Sequence, residues 1–150
     1  MGKAKQSAKN SGGGPFLDAA FICEQVIKEK KDGTCSAIRM VNRITFHEQT
    51  FSPGAVVFMP LAMFISFKAG DFTGTRHLSI FVTTPSGKRR PLEGHVFPHP
   101  MDFTGGDTGT LMLLHNFPIT YETDGTYWID VLLEKKWYSR IPLTVKTNPS

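Results

Sequence analysis

One stretch constrains the fold more than any other: residues 125–146, Gly-Thr-Tyr-Trp-Ile-Asp-Val-Leu-Leu-Glu-Lys-Lys-Trp-Tyr-Ser-Arg-Ile-Pro-Leu-Thr-Val-Lys. Tyr127, Ile129, Val131 and Leu133 alternate with Trp128, Asp130, Leu132 and Glu134. Beyond the lysine pair, Trp137, Ser139, Ile141, Leu143 and Val145 resume the period of two. Successive side chains of a strand point to opposite faces, so this is a β-hairpin with one core-facing side. Directly paired residues share a face, and a slip of one residue would turn the apolar set outward. Parity then asks for an odd loop. A three-residue turn, Glu134-Lys135-Lys136, sets Leu133 opposite Trp137, Ile129 opposite Ile141 and Tyr127 opposite Leu143. On the other side Asp130 faces Arg140, a cross-strand charge pair contributing ~0.2–1 kcal/mol to this register.

The chain upstream carries the same period between turn signals. Lys31-Asp32-Gly33 is a hairpin signal, and beyond it Ile38, Met40, Ile44 and Phe46 alternate with Arg39, Val41, Arg43 and Thr45, so residues 19–28 read as the antiparallel neighbour. Residues 56–67 are apolar on both faces, as in a covered central strand. Pro60 cannot donate to a ladder, which predicts a kink, a bulge or two short strands there. Residues 69–74 read as a loop; Leu78, Ile80 and Val82 mark the next strand, and Pro85-Ser86-Gly87-Lys88 a β-turn. Residues 88–109, with Pro91, Gly94, Pro98, Pro100, Gly105, Gly106 and Gly109, read as a long irregular loop. Period two returns with Leu111, Leu113, Phe117 and Ile119. About seven strands and no long helix describe an all-β fold, an antiparallel β-sandwich, with a closed β-barrel as the alternative.

At 150 residues the chain reads as one domain over residues 16–147, preceded by a disordered basic leader over residues 1–15. Lys3, Lys5 and Lys9 account for most of the formal charge of +4. Without them, 14 basic residues stand against 13 acidic ones. A nearly neutral body lacks the electrostatic footprint of a nucleic-acid binder. The expected pairing sets Cys35 opposite Lys30 and Cys23 opposite Asn42, so both are expected as free thiols, in keeping with a reducing, cytoplasmic setting. The longest apolar run, residues 55–67, contains Pro60 and is shorter than the ~18 residues a membrane helix needs.

The order of features carries a resemblance. A Cys23-Glu-Gln-Val segment leading to Lys31-Asp-Gly33, a mid-chain Pro85-Ser-Gly-Lys88 turn and a closing Gly125-Thr-Tyr-Trp-Ile-Asp-Val-Leu-Leu hairpin ending in Ile141-Pro-Leu-Thr-Val145 resemble a family of small uncharacterised bacterial β-sandwich proteins. The hairpin is also similar to the last strands of immunoglobulin-like domains. The resemblance implies an immunoglobulin-like fold and no particular activity.

Two constellations bear on function. His95, His99 and Asp102 lie within eight residues, and two imidazoles with a carboxylate form a donor set for Zn²⁺ or a similar ion. Pro98 and Pro100 exclude a helix, so convergence depends on loop shape. The repeated tetrapeptide Asp71-Phe-Thr-Gly74 and Asp102-Phe-Thr-Gly105 is ordinary turn chemistry. No nucleophile elbow, phosphate loop or dinucleotide fingerprint is present. The second constellation is the side of the last hairpin facing away from the core. Trp128, Leu132 and Tyr138 stand there beside Asp130 and Arg140, and Trp, Tyr and Arg are the types enriched at binding hot spots. The sequence therefore reads as a non-enzymatic protein-interaction module without a cofactor, binding a protein partner or forming a homo-oligomer through that face, with no nucleic acid or membrane partner. The rival is a small metal-binding protein or metal-dependent enzyme using His95, His99 and Asp102, and a third reading is carbohydrate binding through Trp128 and Tyr138.

Overall fold

The computed structural model describes residues 13–149. Ten strands follow one another: β1 (Phe16–Lys28), β2 (Cys35–Met40), β3 (Arg43–His47), β4 (Val56–Phe58), β5 (Ala62–Thr83), β6 (Arg89–Pro91), β7 (His99–His115), β8 (Pro118–Thr120), β9 (Gly125–Leu133) and β10 (Lys136–Asn148). No helix occurs among the described residues, and therefore none long and apolar enough to cross a membrane.

β5 organises the molecule. Its first half pairs with β1 on one side and with the end of β7 on the other, Phe64 lying opposite both Phe21 and Leu113. Its second half pairs with β9, Ile80 opposite Val131, and with β6 and the start of β7 on the opposite flank. One layer is thus β2-β1-β5-β7, and the other continues from β5 through β9 and β10 to β3. The two layers close on each other without forming a barrel. Phe67 from the first half of β5 meets Tyr138 of β10 with ring centroids 5.3 Å apart. Met63, Ile65 and Phe67 share a buried core with Leu78, Ile80, Tyr127, Ile129, Val131 and Leu143.

The sandwich reading holds; several details of it do not. Among the described residues there are ten strands rather than about seven, and β3 runs parallel to β10. Residues 69–74 are no loop: they lie inside β5, where two register shifts around Gly70 bend the ribbon and break the alternation of side chains. Gly70 has φ 61°, in the left-handed region open to glycine, which suits that corner. Residues 88–109 likewise contain β6 and the first half of β7. Pro60 falls between β4 and β5, so the apolar run is two strands in sequence. Cys23 pairs with Met40 and Cys35 with Lys28, two residues from the expected register, and both thiols are free.

The expected leader lies outside the described residues up to position 12. Its last three residues pack on the body: the Asp71 amide donates to the Gly13 carbonyl at 3.1 Å, and Pro15 is buried.

In the hairpin, Asp130 pairs with Arg140, Ile129 with Ile141 and Tyr127 with Leu143, as expected. The turn differs. It has two residues, Glu134 and Lys135 at φ 48° and 67°, and Leu133 pairs with Lys136. Two positive φ values give the twist that tight hairpins favour. Parity is restored by a bulge between Trp137 and Ser139, the device that an argument confined to odd loops omits. Glutamate is unusual at such a position, and its side chain explains it. Its carboxylate accepts from the His77 amide at 2.9 Å and lies 2.8 Å from His77 Nδ1, while its own amide donates to the His77 carbonyl.

Candidate functional site

The bulge decides which aromatic rings face the solvent. Trp137, expected on the core side, is turned outward and is 54 % exposed. Tyr138, expected outward, packs against the core edge on Phe67, and its hydroxyl donates to the Pro15 carbonyl at 3.0 Å. The outer face therefore carries Trp128, Leu132 and Trp137 around Asp130 and Arg140. From the neighbouring β5, Phe81 pairs with Asp130 and Ser79 with Leu132, so Phe81 extends the same face.

At its centre Asp130 is only 2 % exposed. Arg140 Nε lies 3.3 Å from one carboxylate oxygen and Arg89 Nε 3.8 Å from the other. Each guanidinium also covers aromatic surface: Arg140 lies 4.8 Å from the Trp128 ring centroid and 5.5 Å from that of Trp137, and Arg89 lies 4.2 Å from that of Phe81. A planar guanidinium can stack on a ring and pair with a carboxylate at the same time, which an ammonium cannot do as well. Burial raises the Asp130 pKa. The two arginines and a smaller contribution from the Trp137 indole oppose that rise. Oδ1 has no well-aligned hydrogen bond, so the carboxylate is held by charge and packing. The result is a two-tier surface, an immobilised charge below and stacked arginine and indole rings above.

Arg89 and Phe81 are the members that sequence reasoning missed. Phe81 alternates with the core-marking Ile80 and Val82, and Arg89 falls in the stretch that reads as a long irregular loop. Only the pairing of β5 with β9 on one side and with β6 on the other brings them to Asp130.

His95, His99 and Asp102 lie along one open groove of about 650 Å³ beside β7. They are not assembled as a ligand set: among the described residues no three His, Cys, Asp or Glu side chains are placed to hold a metal ion. The imidazole of His95 stacks on Phe97, and Asp102 on β7 accepts from Thr75 Oγ1 at 2.6 Å. Carbohydrate binding through Trp128 and Tyr138 loses its geometry, since Trp128 lies on the outer face of the β9–β10 hairpin under Arg140 and Tyr138 on its core side against Phe67.

The two layers, together with Tyr127, define an immunoglobulin-like β-sandwich. The Tyr127 ring is fully buried and its hydroxyl donates to the Thr123 carbonyl at 2.7 Å, the corner such sandwiches use to lock a strand entry. No family model and no curated protein matches the chain. It is similar to an immunoglobulin-like protein of Pseudomonas aeruginosa, at 12 % identity and a TM-score of 0.43, covering 91 % of this chain and 99 % of that one. It is also similar, at 9 % identity and a TM-score of 0.37, to the Pseudomonas fluorescens alkylpurine DNA glycosylase bound to DNA containing an abasic-site analogue. That match covers 85 % of this chain and 30 % of the glycosylase.

Proposed function

We propose that this chain is a non-enzymatic protein-interaction module whose binding face is the outer side of β9 and β10. The observation that carries the reading is Arg140 held over both Trp128 and Trp137 by the buried Asp130. A surface whose side chains are already fixed gives up less conformational freedom on binding, so more of its contact energy appears as affinity. Two guanidiniums share one carboxylate, which leaves the patch with positive charge in excess. The complementary partner is a protein surface presenting an acidic side chain beside apolar groups, and a second copy of the chain is the other occupant this face admits.

The test replaces Trp128 and Trp137 together with alanine and compares retention of partners from the native host with that of the unaltered chain. Loss of a specific partner with the melting temperature nearly unchanged supports the proposal. Undiminished retention contradicts it.

A further inference from the structure

The second half of β7 is a sheet edge, and its hydrogen-bond parity can be read from its end. The Asn116 amide donates to the Leu61 carbonyl, which marks residues 61 and 116 as a hydrogen-bonded pair. Antiparallel ladders alternate such pairs with non-bonded ones. Leu114, Met112 and Thr110 therefore spend their backbone groups on β5, whereas the amides and carbonyls of Leu111 and Leu113 point away from it. β7 pairs with no strand other than β5 among the described residues. Side chains follow the same register. Met112 and Leu114 lie opposite the buried Ile65 and Met63, while Leu113 lies opposite Phe64, which stacks on Phe21 at 4.9 Å on the outer face.

Natural sheet edges are usually guarded by charge, proline, a bulge or brevity. The edge of β2 carries Arg39 at φ 53°, and β3 is only five residues long and begins with Arg43. Residues 109–114, Gly-Thr-Leu-Met-Leu-Leu, carry no charge and no proline. The sequence is also self-complementary across a two-fold axis at Met112. Leu111 would face Leu113 of the partner subunit in a hydrogen-bonded pair, and Gly109 would leave room for His115 of the partner subunit. The groove of about 650 Å³ along this edge accommodates the incoming strand.

We infer that two copies of this chain pair antiparallel through β7, joining their β2-β1-β5-β7 layers into one continuous sheet. This surface is separate from the hairpin face. Backbone bonds supply the affinity of such strand addition, and the flanking side chains supply its register.

Sedimentation velocity over a concentration series tests the inference on the full chain, with a reversible dimer expected. Leu111→Lys/Leu113→Lys and Leu111→Glu/Leu113→Glu variants should each self-associate roughly tenfold or more weakly, and their mixture should restore a dimer. Hydrogen exchange on the unaltered protein covers the case in which the charged variants misfold: the Leu111 and Leu113 amides should become protected as concentration rises. A monomer up to about 1 mM, a dimer undiminished in folded charged variants, loss of the dimer on Trp128→Ala/Trp137→Ala alone, or concentration-independent exchange at both amides would overturn it.

Discussion

The β9–β10 hairpin and the β5–β7 ribbon are both long antiparallel pairs, yet they are built to opposite ends. The hairpin is flanked by β5 on one side and β3 on the other, and apart from the bulge between Trp137 and Ser139 its side chains alternate between core and outer face. The ribbon turns a corner between the layers, with register shifts on either side of Gly70 and three glycines between Phe103 and Thr110. One region holds its outer side chains rigidly over a buried charge. The other, among the described residues, leaves the outward backbone groups of an apolar edge without a strand partner. Rigid side-chain presentation suits selective capture of a partner, whereas a bare edge suits addition of a strand.

The largest expected difference lies in the cores of the two regions. Ile129 is fully buried at the centre of β9, and Ile129→Ala should cost about 2–5 kcal/mol. Leu111→Ala at the half-buried edge of β7 should cost about 1 kcal/mol or less. Denaturant unfolding reads both, and equal losses would break the comparison.

That contrast also explains what the sequence made legible. The hairpin could be read because alternation survives wherever both neighbours are present, and the Asp130–Arg140 register was correct for that reason. The turn was misjudged because a two-residue loop and a bulge compensate each other and leave the distal register unchanged. Trp137 and Tyr138 exchanged sides for the same reason. The ribbon was illegible, since glycines and bulges at 69–74 and 105–109 erase the period of two and mimic loops. Arg89 and Phe81 could not be assigned to the site at all, because long-range pairing alone brings them to Asp130.

Glycines at the corner sharpen the comparison at a smaller scale. A Cβ at Gly14, at φ 78°, would collide with the Ala69 carbonyl oxygen, and a backbone oxygen cannot yield. Gly14→Ala should therefore cost about 1–3 kcal/mol. Gly70 has a comparable φ, but the Cβ there would meet the Phe16 ring, which is partly exposed and can swing aside. Gly70→Ala should cost about 1 kcal/mol, and thermal melts of the pair should preserve that order.

Acid titration separates the buried carboxylate from the exposed ones. Hydrogen bonds from Ser86, Thr147 and His77 hold Glu122, Asp124 and Glu134 below their ordinary values. Their stabilisation is present above those ordinary values and is lost as pH falls through the folded ones. Asp130 has the opposite sign. Burial raises its pKa, so its relative contribution is greatest below the ordinary aspartate value and is lost as pH rises through the raised one. Acidification from about pH 6 to about pH 3 should lower the melting temperature. Asp130→Asn should steepen that fall and Glu134→Gln should flatten it; no change of slope in either variant would contradict the assignment.

The smallest effect belongs to the hairpin turn. Lys135 sits at φ 67°, where glycine is unstrained, and Lys135→Gly should stabilise by about 0.5–1 kcal/mol. A loss of stability would show that the lysine makes a contact outweighing its backbone strain.

The central claim, that the outer side of β9–β10 captures a partner, is tested most directly by photocrosslinking in the native host from a photoreactive amino acid at position 137. The account predicts a discrete adduct with one partner protein, lost when Arg140→Glu is added and absent when the same group is placed at Ile27, which is 41 % exposed in the β1–β2 hairpin, away from both proposed surfaces. Adducts of equal yield from positions 137 and 27, or an adduct at 137 indifferent to Arg140→Glu, would contradict it.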